Sequence, residues 1–329
     1  MTQLAGQAPE FSIIVPVFNA EATLGPLTAR IVEVMESRGA AFEIVLVDDC
    51  GGDGSWSKAR ELAADDSRIV AVQLMRNYGQ SAATMCGLAQ ARGEYLITLD
   101  DDLQNPPEEI NVLIDSLAER PDVDVIFGSP VEKRHSLWRR FGSWMVNRIS
   151  AGLILRTDAK LELTSFRILR RSVADSLLAV STPRPAPGAM LCTITPRIIN
   201  VPVRHEERGG GVGGYTIGKL LGLTIDKTLS FSTLPLRLLA SMGLIGIVFS
   251  AVLGCVYLSR YYWGGIAVPG WTTQVLLMIG IAGFNFFALG VIGEYLLRIL
   301  QTVQGTPQYL VRQQVGGGPA ARHDAAPGE

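Results

Sequence analysis

Four short β-branched runs, each set apart by a helix-like stretch, fill the first hundred residues and leave the chain few folds to adopt. The runs are FSIIVPVF, FEIVLVDDC, IVAVQLM and EYLITLD. Between them lie a helical pattern from about Ala22 to Ser37, then SWSKARELAADD, then SAATMCGLAQAR ending at Gly93. Strands apolar on both faces must be covered on both, and a crossover helix is the usual way back to a parallel neighbour. The pattern predicts an α/β domain with a mostly parallel sheet and helices on each face. Ligands of such sheets bind beyond the carboxyl ends of the strands. Asp48, Asp49, Asp100, Asp101 and Asp102 all fall at those ends.

The stretch YLITLDDDLQNPPEE, Tyr95 to Glu109, sets three aspartates at the end of a buried strand. Like charges side by side repel, and each favours water. A hard divalent cation offsets that cost, and Mg²⁺ or Mn²⁺ shares carboxylate oxygens with phosphates. The plainer reading is an acidic loop leading into a helix that starts near Pro107.

A formal net charge of -2 gives no general case for nucleic acid. Cys50, Cys86, Cys192 and Cys255 show no metal-ligand spacing and read as reduced thiols. MTQLAGQAPEF has neither a basic region nor an apolar core, so no signal peptide is predicted, and GGGPAARHDAAPGE reads as a disordered end.

Hydropathy changes in the last third, within a chain that is 48% hydrophobic. Leu234 to Tyr257 carries one charge, Arg237, and Gln274 to Leu297 carries one, Glu294. Each run is long enough to cross a hydrocarbon core of about 30 Å as a helix. The alternative is a pair of buried core helices. Lys219, Lys227, Arg237, Arg298 and Arg312 outnumber Arg260 of the connecting loop. The positive-inside rule then predicts a multi-pass inner (plasma) membrane protein with its N-terminal domain and C-terminus cytoplasmic. Ser136 to Leu155, with Trp138, Trp144, Arg139 and Arg140, reads as an interfacial helix or as an amphipathic helix on the sheet. The expected divisions are a domain at 1–215, a juxtamembrane amphipathic helix at 216–233, a two-span hairpin at 234–300 and a tail at 301–329.

Seven motifs occur in order: VPVFNAE, VDDCGGDGS, RNYGQSAATMCGL, LDDDLQNPPE, SFRILRR, RxxGxGGYT and GVIGEYLLRI. Together they make the chain resemble the family-2 inverting glycosyltransferases of GT-A (Rossmann-like) fold. More narrowly it is similar to the polyprenyl-phosphate sugar transferases, a group that includes dolichol-phosphate mannose synthases and bacterial undecaprenyl-phosphate enzymes. The resemblance covers roughly Phe11 to Arg312. It implies a nucleoside pocket at Pro16, Phe18 and Asn19, with Glu21 near the ribose and Asp49 on the base. It implies a metal, Mg²⁺ or Mn²⁺, at Asp100 and Asp102 with Gln104 beside it. Arg76, Asn77 and Gln80 would lie near the donor phosphates or sugar, and Arg208 would approach the lipid phosphate. Asp101 is expected to be structural, and a homo-oligomer, up to a tetramer, is expected.

The chain departs from the family pattern at four places. Ala20 precedes Glu21 where relatives place Glu directly after the Asn. Ser165 stands where relatives often have Asp, Gly214 where they have Lys, and Pro130 where they have Arg. Lys133 and Arg134 are the expected substitutes for the displaced phosphate contacts.

The expected reaction is inverting transfer of a sugar from a nucleotide sugar, with UDP as the expected nucleotide, to a polyprenyl phosphate, with undecaprenyl phosphate expected. The alternatives are a GDP-mannose-dependent mannosyltransferase and a non-enzymatic membrane scaffold. A processive synthase is disfavoured by the lack of a Gln-x-x-Arg-Trp motif. A dinucleotide-binding oxidoreductase is disfavoured because no GxGxxG follows the first strand.

Overall fold

The structure is a computed structural model that describes residues 9–130, 161–206 save 181, 183 and 184, 271–304 with some of their side chains, and 307–317, with single positions at 252, 255, 259 and 263. The chain divides into two compact units, one of 1–151, 155–214 and 305–329, the other of 152–154 and 215–304.

The first unit opens with strand β1 (Phe11–Val17), helix α1 (Glu21–Arg38), β2 (Phe42–Asp48), α2 (Ser55–Asp65), β3 (Ile69–Leu74), α3 (Gln80–Gln90) and β4 (Tyr95–Thr98). A short 3-10 turn at Pro107–Glu109 leads into α4 (Ile110–Glu119), then β5 (Val125–Pro130), β6 (Arg167–Arg170), α5 (Arg171–Leu178), α6 (Pro187–Ile194) and β7 (Ile198–Val203). β8 (Val311–Val315) closes the unit from the far end of the chain.

Among the described residues the strands form one eight-stranded sheet in the order β7-β5-β6-β4-β1-β2-β3-β8. β1 runs parallel to both β2 and β4, and β2 parallel to β3. β6 lies antiparallel between β4 and β5, and β8 is antiparallel to β3. The sheet core is apolar on both faces: every residue of β1, β2 and β3 is buried. α1 packs on it through Leu24, Leu27, Ile31 and Met35, which recur at helical spacing and so share one face. α3 approaches more closely because it is made of small residues. A Cβ on Gly87 would lie 2.2 Å from Ile14 Cγ2, so only glycine lets α3 sit this deep on β1.

Parallel packing of β1, β2, β3 and β4 brings all four carboxyl ends to one edge. The backbone there takes left-handed values at Asn19 (φ 53), Cys50 (φ 55) and Leu103 (φ 60), after β1, β2 and β4. Non-glycine residues enter this region at a cost of about 1–2 kcal/mol. Such strain clusters where side chains must be held for a task.

The second unit contains α7 (Trp271–Val303), a 33-residue helix with exposed Leu277, Met278, Ile281 and Leu289. Here the hydropathy expectation is corrected. A span needs about twenty consecutive apolar residues in one helix, and among the described residues no helix is long and apolar enough to cross a membrane. The two transmembrane helices of 234–300 therefore do not stand. The multi-pass membrane protein, its plasma-membrane location and the cytoplasmic placement of its ends fall with them. Hydropathy along a sequence reports composition, and composition does not say whether a run becomes one spanning helix. The first run, 234–257, lies almost wholly outside the described residues, as do the helices expected at 136–155 and 216–233.

Candidate active site

The loops at the strand ends are tied together by polar contacts between motifs far apart in sequence. After β1, Asn19 Oδ1 accepts the backbone N–H of Gly52 at 2.8 Å, and Ala20 N–H donates to Ser55 Oγ at 2.8 Å. Glu21 Oε2 accepts Gly54 N–H at 3.0 Å, while Glu21 N–H donates to Asp53 Oδ2 at 3.1 Å. The starts of α1 and α2 thus satisfy each other's free N–H groups. A Cβ on Gly54 would meet the Glu21 carboxyl at 2.5 Å, so a larger residue there would push Glu21 out of this contact. Glu21, expected near a ribose, is occupied by this reciprocal contact.

Asp49 is 2% exposed. Its two carboxylate oxygens accept the N–H groups of Tyr78 and Gly79 at 2.7 and 2.8 Å. Burial pushes its carboxyl up, opposed by these two hydrogen bonds. Asp49 therefore holds the β3–α3 loop. The loop presents Arg76 and Asn77 to solvent, with the Arg76 guanidinium 4.8 Å from the centre of the Tyr78 ring. Pro16 is buried inside β1, and the Phe18 ring beyond it is 47% exposed.

The three aspartates have three environments. Asp100 Oδ1 accepts from Gln80 Nε2 at 2.6 Å, and Asp100 Oδ2 accepts from Ser165 Oγ. Burial raises the Asp100 carboxyl, and the nearby Asp102 charge adds to that, while Ser165, Arg167 and Gln80 oppose it. Asp101 Oδ2 accepts Phe18 N–H at 2.8 Å and its carbonyl accepts Thr23 Oγ1 at 2.7 Å, so it fixes the β1–α1 loop. Burial is the main cause that pushes Asp101 up to about 6. Asp102 Oδ1 accepts Gln104 N–H at 3.1 Å, and the Gln104 carbonyl accepts Glu206 N–H at 2.8 Å.

Arg167 was not foreseen in a site role. It lies on β6 opposite Thr98, is 5% exposed, and its Nε has no hydrogen-bond partner among the described residues. Burial draws it down to about 10, against the pull of Asp100. Ser165, met in the sequence only as a departure from the family, reaches Asp100 directly. Contacts across 65 residues leave no local sequence signal.

Among the described residues no group of three or more His, Cys, Asp or Glu side chains could hold a metal ion. Asp100 and Asp102 nevertheless supply hard oxygen donors close enough to feel each other's charge. That fits a shared site, in which a divalent ion completes its shell with water and phosphate oxygens, rather than a closed protein cage. Lys133, Arg134 and Arg208 lie outside the described residues. The segment leading to Arg208 is placed, however. Arg204 N–H and Nε donate to Glu109, at 3.1 and 2.6 Å, and His205 Nδ1 is 3.3 Å from Asn105 Oδ1. Residues 204–206 therefore run along the loop that follows the aspartates. A cavity of about 280 Å³ opens at the opposite end of the sheet, between Phe11, Arg38, Tyr95 and Ile114, and none of these site residues lines it.

In this mixed sheet the aspartates and interlocked loops gather at the carboxyl edge of the parallel strands, where α/β sheets bind their ligands. The model of Glycosyl transferase family 2 matches residues 12–178, and the chain belongs to that family of sugar-transferring enzymes. The undecaprenyl-phosphate 4-deoxy-4-formamido-L-arabinose transferase of Sodalis glossinidius is 35% identical over 317 residues, covering 94% of each chain. The enzyme of that description from Pseudomonas aeruginosa PAO1 is 34% identical over 318 residues, covering 94% of this chain and 91% of its own. In fold the chain is similar to glucosyl-3-phosphoglycerate synthase from Mycobacterium tuberculosis, solved with Mn²⁺, UDP and glucosyl-3-phosphoglycerate. The TM-score is 0.52 at 16% identity, over 69% of this chain and 81% of that one.

Proposed function

We propose that the chain transfers a sugar from a nucleotide sugar to a polyprenyl phosphate with inversion at the anomeric carbon. The observation that carries this is the Asp100–Asp102 pair, held at the carboxyl end of β4 amid loops locked by Asn19, Glu21, Asp49 and Asp101. The relatives similar over nine-tenths of the chain support undecaprenyl phosphate as acceptor and a 4-deoxy-4-formamido-L-arabinosyl group as the sugar. UDP is the nucleotide proposed.

In this reading Phe18 and Asn19 border the nucleoside, and Arg76 and Asn77 face the diphosphate from the β3–α3 loop. Gln80 and Ser165 keep the Asp100 carboxylate oriented. Asp100 and Asp102 would hold Mg²⁺ or Mn²⁺, which when bound offsets the negative charge developing on the departing nucleoside diphosphate. One oxygen of the acceptor phosphate attacks the anomeric carbon as the bond from that carbon to the diphosphate oxygen breaks. A phosphate monoester is largely ionised near neutral pH, so no strong general base is required. Lys133, Arg134 and Arg208 are proposed to hold the acceptor phosphate, since guanidinium and ammonium groups make the strongest hydrogen bonds to it.

The test is transfer from a panel of labelled nucleotide sugars to undecaprenyl phosphate in detergent, with Mg²⁺ or Mn²⁺ present. A lipid-linked product formed from a UDP-linked 4-formamido pentose above all others is expected. Preference for GDP-mannose would replace the proposed donor, and no lipid-linked product from any donor would overturn the reading.

A further inference from the structure

The last described stretch of the chain returns from the helical unit to the donor side of the sheet. Seven residues separate the end of α7 at Val303 from the start of β8 at Val311. β8 pairs antiparallel with β3, matching Ala71 with Val315 and Gln73 with Gln313, and the register shifts at Gln73/Leu74. The pairing continues past the end of the strand, where the loop begins. Met75 N–H donates to Leu310 O at 2.8 Å, and Arg312 Nη2 donates to Met75 O at 3.3 Å.

A second line of contacts crosses the sheet. Gln313 Nε2 donates to Gln73 Oε1 at 2.9 Å, and Gln73 Nε2 donates to Asp48 Oδ2 at 3.0 Å. Asp48 is the residue before Asp49, which holds the other end of the same loop through Tyr78 and Gly79. Loop 75–79 is thus gripped at both ends, and β8 reaches both grips, one directly and one through Gln73. Between them stand the exposed Arg76 and Asn77, and Gln80 follows with its amide on Asp100.

An edge strand of the sequence VRQQV has little to gain from burial, since Val311, Arg312 and Gln313 are exposed. Its contacts instead concentrate on the backbone and polar groups that set the loop. We infer that β8 is a positioning element for the donor nucleotide, with Gln313 and Arg312 as its positioning residues, so that the chain's return strand sets how Arg76, Asn77 and Gln80 meet the diphosphate. This rests on the donor reading above.

The experiment measures UDP affinity in the presence of Mn²⁺ by calorimetry, and steady-state KM and kcat for donor and acceptor, in full-length variants. Gln313→Leu and Gln313→Glu remove the N–H that Gln73 accepts, whereas Gln313→Lys retains a donor. Loss of one hydrogen bond of ordinary net strength predicts a weakening of about three- to tenfold in UDP affinity and donor KM for Leu and Glu. Turnover and acceptor KM should stay within twofold, and Lys should recover most of the loss. Arg312→Ala should shift the same two quantities in the same direction. A strand that only covers the sheet edge would show lowered melting temperature with no donor-specific change and no distinction between Glu and Lys. Unchanged UDP affinity and donor KM in Gln313→Glu and Arg312→Ala, with UDP binding intact in the wild type, would overturn the inference alone. Wild-type protein that binds no nucleoside diphosphate would overturn the functional reading and this inference with it.

Discussion

The Ser165 hydroxyl donates to Asp100, joining the residue two places before β6 to the first aspartate beyond β4. The same residue's backbone carbonyl accepts Thr98 Oγ1, so Ser165 is tied both to the last residue of β4 and to the loop beyond it. The family resemblance leads one to expect an acid at this position, and here a neutral donor faces an acid instead. Ser165→Ala should leave Asp100 with one side-chain donor, Gln80, and hydrogen bonds to charged groups contribute about 1.5–3 kcal/mol. We expect kcat/KM to fall about ten- to a hundredfold. Ser165→Asp should fall further, because a second carboxylate would replace a proton donor. Equal activity of all three forms would show that Asp100 is oriented by other means.

Asp100 and Asp102 are the proposed metal pair, and their removal should affect chemistry more than folding. Asp102→Asn is expected to lower transfer by at least about two orders of magnitude, the scale on which charge stabilisation of a leaving group acts. Chelation by EDTA should stop the wild type reversibly. Mn²⁺ binding, followed by electron paramagnetic resonance in the presence of UDP, should weaken in the variant while its melting temperature stays near that of the parent. Near-normal turnover with tight Mn²⁺ binding would place the metal elsewhere.

The sequence disclosed β1 to β4 and the three helices between them because period, length and end signals agreed in each. The aspartates at the strand ends were legible for the same reason, as charges cannot sit there without a cause. What orients them was not. Gln80 lies 20 residues before Asp100 and Ser165 lies 65 after it, and nothing local in either stretch announces the meeting. β6 is the four residues RILR hidden inside SFRILRR, and their antiparallel place beside β4 depends on tertiary pairing. β8 was hidden more deeply, because a polar edge strand lacks the apolar alternation that marks a buried one. In the last third hydropathy predicts two spans, whereas no helix among the described residues is long and apolar enough to cross a membrane.

Asp49 offers a stability prediction. It is buried and accepts two backbone N–H groups at once. Asp49→Ala would leave both without an acceptor, and each unsatisfied group costs about 1–3 kcal/mol. A loss of about 2–4 kcal/mol in urea unfolding is expected, along with weaker UDP binding as the loop bearing Arg76 and Asn77 loosens. Unfolding unchanged from wild type, with UDP binding lost, would instead make Asp49 a ligand contact and not a loop clamp.

Asp48 carries the pH prediction. It is 1% exposed, Gln73 donates to its Oδ2, and Gln73 with the backbone N–H groups of Gly51 and Cys50 favours its ionised form. Burial raises its carboxyl above the ordinary value of 3.8. A raised native value means that, once the pH exceeds the unfolded value, the folded state holds more protons than the unfolded one. Stability then falls with rising pH until the native value is passed. The penalty is absent well below about pH 4, where the carboxyl is protonated in both states, and grows with rising pH until the native value is passed. Asp48→Asn keeps an oxygen for Gln73 and cannot ionise. Its urea midpoint relative to wild type should therefore rise as pH is raised from 4 to 7, whatever the offset between the two proteins at pH 4. A difference that stays flat, or moves the other way, would mean that ionised Asp48 is stabilised by its surroundings as well in the fold as in water.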